Sequence, residues 1–334
     1  MATDVALDVG TGWTRLASAD EGLLFNEPTI VAIDTRSGEV VELGFGALDL
    51  VARTSRHVIA FRPLSQGATV DFDVTARLLS GLFDRAGISK ISRVRALMSV
   101  PSLATPIERR ALRQAAIQAG AREVSLLEAP LAAAIGLGLP VQDPVGSAVT
   151  VLGAGASEAA LLSLGGIVTS ATRRHGGVDL DAAIASLLRQ RHGVVVSPAV
   201  TEALKVNLGS ARGLTRGLTE EVVARTVSRG EPVRLTVGAD LVNVALHDVV
   251  ASTVRMVQDS LADAPPDLSQ DVSARGLTLV GGLSRLGDLA DLISTNTGVE
   301  IRVADDPELV VIRGLQLCLE EMSSLHPLFR DADL

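Results

Sequence analysis

Short apolar runs of strand length alternate along this chain with longer stretches in which apolar residues recur at three- and four-residue spacing, a pattern that predicts an α/β architecture. Residues 4–17 read as strand, turn and strand, with Gly10 and Gly12 in the turn and Asp8 closing the first strand. Residues 23–41 continue as a third strand and a hairpin, 43–52 as a short helix, and 58–64 as an extended passage. A helix with Asp73 as its cap follows, carrying Leu78, Leu79, Leu82 and Phe83 at helical spacing. A buried strand at 95–100 leads to Thr105, which with Glu108 forms a capping-box signature for a helix over 106–119 that stops at Gly120. A strand at 124–127 and a small-residue helix from Pro130 to Gly136 complete the first half, and 140–146 reads as the crossing to the second.

The stretch AVTVLGAGASEAALLSL at 148–164 restarts the plan as a hairpin, with Gly153 and Gly155 in its turn. A third strand at 166–171, helices at 180–191 and 199–208, a charged passage at 212–229, a strand at 232–237 and a long helix at 241–261 follow. After the Pro265–Pro266 break, a strand at 277–280 ends in Gly281 and Gly282, a helix begins at Ser284, and a strand at 299–303 and a helix at 307–321 finish the pattern. Glycine turns of this kind let backbone N–H groups approach a phosphate, because no Cβ stands in the way. One alone is weak evidence. Three, each after an apolar strand and spread over two matching halves, predict related halves facing one cleft.

Composition narrows the function. With 334 residues, 47% of them hydrophobic, the chain has material for a large core and, at roughly 100–200 residues per domain, for two domains. The net charge of −9, with Arg scattered among acids, argues against a nucleic-acid partner. The absence of Tyr and the presence of one Trp leave little for base stacking. Cys318 is the only cysteine, which excludes an internal disulfide and fits a reducing cytoplasm. Asp4 and Asp8 interrupt the first apolar run, so no leader is expected there, and no stretch approaches the ~20 apolar residues of a spanning helix.

Several long stretches carry a resemblance. They are ALDVGTGWTRL at 6–16, FNEPTIVAID at 25–34, FRPLSQGATVDFDVT at 61–75 and SVPSLATPIERRALRQAAIQAGAREVSLLEAPLAAAIGLGLPV at 99–141. In the second half they are LSLGGIVTSATRRHGGVDLDAAI at 162–184, TEALKVNLGSA at 201–211 and GLTLVGGLSRLGDL at 276–289. From residue 4 to about 320 the chain resembles the bacterial actin family of MreB and Mbl, within the superfamily of actin, sugar kinases and heat-shock chaperone ATPases. The resemblance implies an actin-like fold, two related RNase H-like α/β halves around a nucleotide cleft. They would be residues 1–143, with a small subdomain at about 27–65, and residues 144–334, with one at about 178–255.

Carried over position by position, the resemblance implies a first phosphate hairpin of Asp8, Gly10, Thr11, Gly12 and Thr14, with Asp8 the one metal-linked acid retained. Trp13 replaces a small polar residue, and its indole either lies across the phosphate pocket or folds outward. The second hairpin keeps Gly153, Gly155, Ser157 and Glu158 but has Val151 where the family has a metal-linked Asp, and Ala156 where it has a Thr. The glutamate that orients the attacking water stands before a proline in the family, and that place is Ala129 here, with Glu128 one residue early. Glu202 and Lys205 match the pair beside the adenosine, or form an ordinary surface ion pair. Gly281 and Gly282 match the adenosine turn, with Leu283 in place of a third glycine and expected to crowd it.

Phosphoryl transfer to water depends on positioning and on charge neutralisation by metal, and each lost carboxylate commonly costs ~10²-fold or more. The expectation is therefore binding of ATP or another purine nucleotide, with a weakened Mg²⁺ dependence and very slow or absent hydrolysis. The resemblance implies a cytoskeletal protein that joins itself head to tail into filaments guiding cell-wall synthesis. Its partners would be itself, true MreB, cell-wall synthesis membrane proteins and the inner face of the cell membrane, with the loop Gly87–Arg95 a candidate contact or an ordinary surface loop. A non-polymerising pseudo-ATPase scaffold is the alternative. A small-molecule kinase of the same fold is disfavoured, because no Asp near the second hairpin offers a base.

Overall fold

The computed structural model describes residues 2–53, 57–88, 93–215 and 217–320. Its frame is two five-stranded sheets built to one plan. In the first, strand Ala2–Val9 pairs antiparallel with Trp13–Ser18, which pairs antiparallel with Gly22–Pro28. On its other edge Ala2–Val9 runs parallel to Arg93–Val100, and that strand runs parallel to Ala121–Glu128. In the second sheet Ser147–Leu152 takes the place of the opening strand. Ser157–Ser163 and Gly166–Arg173 follow antiparallel on one side, and Leu277–Val280 and Ile301–Val303 lie parallel on the other. Parallel neighbours need long crossovers, and helices such as Phe72–Arg85, Pro106–Ala119 and Ala239–Ala262 supply them.

Each half has its own core, and a third core joins them. Leu7, Leu79, Met98 and Leu126 lie in the first, and Leu161, Ile184, Leu246 and Leu279 in the second. The joint cluster takes Ala6, Ala17 and Leu97 from one sheet and Val149, Ala160, Leu162 and Val280 from the other. Helices Ala129–Gly136 and Val310–Glu320 lie in the same cluster. Those two helices cross backbone to backbone: a Cβ on Gly314 would strike the carbonyl oxygen of Ala132, and one on Gly136 that of Val310. The Ala-rich composition of the segment 129–136 is what allows this approach, since any larger side chain at the crossing would separate the helices. Each half also carries a small three-stranded sheet. One is Val31–Asp34 between Val40–Leu43 and Val58–Phe61, and the other is Val194–Val195, Thr219–Thr226 and Pro232–Gly238.

Several expectations need correction. The cap of the helix Phe72–Arg85 is Asp71, whose side chain accepts the N–H of Val74 at 2.9 Å, and Asp73 lies inside the first turn. The charged passage contains the strand Thr219–Thr226, and the double proline starts the helix Pro266–Arg275. The continuous helix expected from Ser284 is instead a 3₁₀ turn, Gly282–Arg285, followed by Leu289–Thr297. Asp288 between them adopts a left-handed conformation with φ 61°, which breaks the run. In the loop Gly87–Arg95, Ile88 is buried and Arg95 pairs with Asp4. Lys90 and Ile91 lie outside the described residues. Among the described residues no helix is long and apolar enough to cross a membrane.

Candidate functional site

Both glycine hairpins end at the same place. In the first turn the N–H of Gly10 donates to the carbonyl of Trp13 at 3.0 Å, and in the second the N–H of Gly153 donates to that of Ala156 at 2.9 Å. The turns touch across the two halves: a Cβ on Gly155 would run into the side chain of Thr11, and one on Gly12 into that of Ala154. Thr11 is buried, and its hydroxyl accepts the N–H of Gly67 at 3.0 Å. Among the described residues the N–H groups of Thr11, Gly12, Ala154 and Gly155 donate to no protein acceptor. Unspent donors on facing turns suit phosphate oxygens, and on that ground the site fits a nucleotide.

The charged groups at the turns are already engaged. Asp8 accepts the hydroxyl of Ser99 on Oδ1 at 2.7 Å and Nη1 of Arg15 on Oδ2 at 3.1 Å. The guanidinium carbon of Arg15 lies 6.0 Å from the ring centroid of Trp13. Trp13, 39% exposed, meets Phe45 edge to face at 5.7 Å. The indole therefore folds outward onto the small sheet's helix.

The register of the two hairpins matches. Asp8 lies opposite Arg15, and Val151 lies opposite Glu158. Each pair takes the second residue before the leading glycine and the fifth after it, so Val151 is the counterpart of Asp8 and Glu158 that of Arg15. Glu158, 3% exposed, accepts both the N–H and the hydroxyl of Ser102 on Oε2, at 2.7 and 2.6 Å. Burial pushes its carboxyl up against the pull of those two hydrogen bonds. Ala129 opens the helix Ala129–Gly136, and the neighbouring Glu128 pairs with Arg109 at 2.9 Å. No group of three or more His, Cys, Asp or Glu among the described residues could hold a metal ion. With Val151 apolar, Asp8 committed to Arg15 and Glu158 bonded to Ser102, the donor set does not fit a divalent cation.

On the other side of the second turn, Lys205 on the helix Pro198–Leu208 is 8% exposed. Its Nζ lies 2.8 Å from Glu202 and 3.0 Å from Asp181, and donates to the carbonyl of Gly177 at 3.3 Å. Glu202 and Lys205 are thus one cluster with an acid from the helix Gly177–His192 rather than a simple surface pair. Burial pushes the Asp181 carboxyl up, to about 7, against the pull of Lys205. Burial pushes the Glu202 carboxyl up, but the hydrogen bond and charge of Lys205, with smaller contributions from Asp181 and Arg62, together hold it below its usual range. Gly281, with φ 88°, packs its Cα against the carbonyl of Leu152, and Gly282 faces open space. Leu283 turns into the core of the second half and leaves that turn uncrowded.

Two residues of the expected set spend their hydroxyls internally. Thr14 bonds Thr29 at 2.8 Å with no exposure, and Ser157 donates to the carbonyl of His175 at 3.0 Å. Sequence reading missed Arg15, Ser102, Asp181 and Arg62. The guanidinium of Arg62 reaches the carbonyls of Thr11 and Thr29 at 3.4 Å. Arg15 was within reach, because a tight turn over residues 10–13 fixes the register that puts it opposite Asp8. Beside Ser102 the halves enclose a cavity of about 90 Å³ with Gly67, Pro101 and Ala156 in its lining. Glu108 and Arg174 pair at its edge, 2.8 Å apart and from different halves. The hydrogen bond from Arg174 holds the Glu108 carboxyl down at about 2.

The sequence and fold have known counterparts. The family model for MreB/Mbl protein matches residues 2–327. The cell shape-determining protein MreB of Escherichia coli K12 is 37% identical over 331 residues, covering 97% of this chain and 95% of that protein. The cell shape-determining protein Mbl of Bacillus subtilis is 31% identical over 325 residues, covering 97% and 98%. Among solved structures, MreB5 of Spiroplasma citri bound to ADP superposes with a TM-score of 0.88 at 24% identity over 98% of each chain. MamK in a double helical filament gives 0.80 at 18% identity over 96% of this chain and 99% of that one.

Proposed function

The chain belongs to the MreB/Mbl family of cell-shape cytoskeletal proteins, and from that premise we propose that it is a filament-forming bacterial actin that holds ATP or another purine nucleotide without appreciable turnover. The observation that carries this reading is the pair of facing glycine turns with unspent N–H donors, combined with the loss of carboxylates at Val151 and Ala129. Nucleotide would lie between domains 1–143 and 144–334, whose small subdomains are the inserts at about 27–65 and 178–255. The turns at Gly10–Gly12 and Gly153–Gly155 would hold its phosphates, and Glu202, Lys205, Gly281 and Gly282 its adenosine end. When bound, the nucleotide supplies negative charge that those N–H groups neutralise and that ties the two halves together.

Self-association follows from the kinship. MreB5 is solved with ADP and with AMPPNP, and MamK as a double helical filament. Repeated head-to-tail contact whose rotation does not close a ring yields a filament. Such filaments would lie in the cytoplasm against the inner face of the cell membrane and guide cell-wall synthesis through membrane-protein partners. A non-polymerising scaffold that regulates true MreB filaments draws on the same lost carboxylates. Sedimentation and electron microscopy of the purified chain, with and without ATP and on lipid, separate the two. Filaments are the expected result, and their absence under every condition contradicts the polymer reading.

A further inference from the structure

The strongest unexplained feature of the molecule is a buried arginine at the base of the first phosphate turn. Arg15 has a side chain only 10% exposed, yet among the described residues only its Nη1 donates to an acceptor, and its Nε is buried with no partner among them. A guanidinium carries five N–H donors, and leaving them unspent in a buried place is costly. The Trp13 ring beside it and the Asp8 carboxylate below fix its position. The counterpart of Asp8 in the second hairpin is Val151, and the other acid there, Glu158, is bonded to Ser102, so Asp8 is the one carboxylate at the matched position and Arg15 balances it.

We propose that the Arg15 guanidinium is a built-in counter-cation, so that the cleft binds a nucleoside di- or triphosphate free of divalent metal. The charge arithmetic supports it. A divalent ion at paired turns offsets carboxylates as well as phosphates. Here Asp8 carries −1 and Arg15 +1, which leaves the first turn neutral before any ligand enters. The free N–H groups of Thr11, Gly12, Ala154 and Gly155 then meet incoming phosphate with the charge of Asp8 already offset by Arg15. This inference rests on the nucleotide-binding reading above and adds the identity of the cation.

The test is a titration of the purified full chain with ATP, in excess EDTA and in excess MgCl₂, read by calorimetry and by the fluorescence of Trp13, the one tryptophan of the chain. The two conditions should give affinities within about threefold of each other. Arg15→Met should weaken binding in EDTA by about tenfold or more, the scale of a lost charge-assisted hydrogen bond. Asp8→Asn, which preserves shape and frees Arg15 of its counter-charge, should tighten metal-free binding severalfold, and it decides the matter if the Met variant does not fold. Spectra of added Mn²⁺ should show no protein-held metal beyond that carried by ATP. Binding at least tenfold tighter with Mg²⁺, or an Asp8→Asn variant that binds no better in EDTA, overturns the proposal and leaves the nucleotide reading intact. Absence of binding in both conditions overturns both.

Discussion

Asp8 and Val151 occupy matching positions in two matching hairpins, and the proposed loss of turnover starts from the difference between them. Each oxygen of the Asp8 carboxylate already accepts a hydrogen bond, one from Ser99 and one from Arg15, and valine offers no oxygen at all. If turnover is limited by those losses, Val151→Asp with Ala129→Glu should raise the rate of phosphate release by ~10²-fold, the scale of a general-base or electrostatic contribution. An unchanged rate in a folded double variant would mean that the limit lies elsewhere. Glu108 offers a separate test. Its carboxyl sits at about 2 in the folded chain against 4.5 ordinarily, so between those values the unfolded chain binds the extra proton and stability rises with pH. The contribution of the Arg174 pair is thus full above about 4.5 and disappears as pH falls through about 2. The pair is partly exposed, which limits it to ~0.2–1 kcal/mol. Glu108→Gln should lower the unfolding free energy measured in urea by that amount at neutral pH, and the difference should close in strong acid.

At the scale of elements, the helix Pro106–Ala119 shows what local sequence determines. The hydroxyl of Thr105 accepts the N–H of Glu108, whose carboxylate accepts the N–H of Thr105. Thr105→Ala should cost ~1 kcal/mol in chemical denaturation. That cap was legible because both partners lie within four residues. The helix Pro266–Arg275 was not, because Val272 is its only fully buried residue and no apolar stripe marks it. The strand Thr219–Thr226 was hidden in the same way, with Val222 and Ala224 buried among exposed charges. The site divides along the same line. Glycine turns and the Glu202–Lys205 spacing are local and were readable. Glu158 with Ser102 and Lys205 with Asp181 join residues 56 and 24 positions apart, and only tertiary packing brings them together. The crossing of Ala129–Gly136 with Val310–Glu320 reverses a local rule. Helix propensity favours alanine over glycine by ~1 kcal/mol, but Gly314→Ala should destabilise the chain by ~1–3 kcal/mol, because the new methyl would meet the carbonyl of Ala132. A raised melting temperature for that variant would contradict the crossing.

Across the whole molecule, the duplicated sheet plan brings two glycine turns into contact, and the joint core of Ala6, Val149, Val280 and Leu315 holds the sheets that carry them. On the proposed reading, an actin-like chain built this way would keep the parts that bind nucleotide and lack the parts that hydrolyse it. Its filaments should accordingly be governed by nucleotide occupancy and not by a hydrolysis clock. The most direct test is to polymerise the purified chain with ATP, collect the polymer after prolonged incubation, and identify by chromatography the nucleotide it holds. The account predicts intact ATP in the pelleted filament. Filaments carrying ADP, with phosphate released in step, would contradict it.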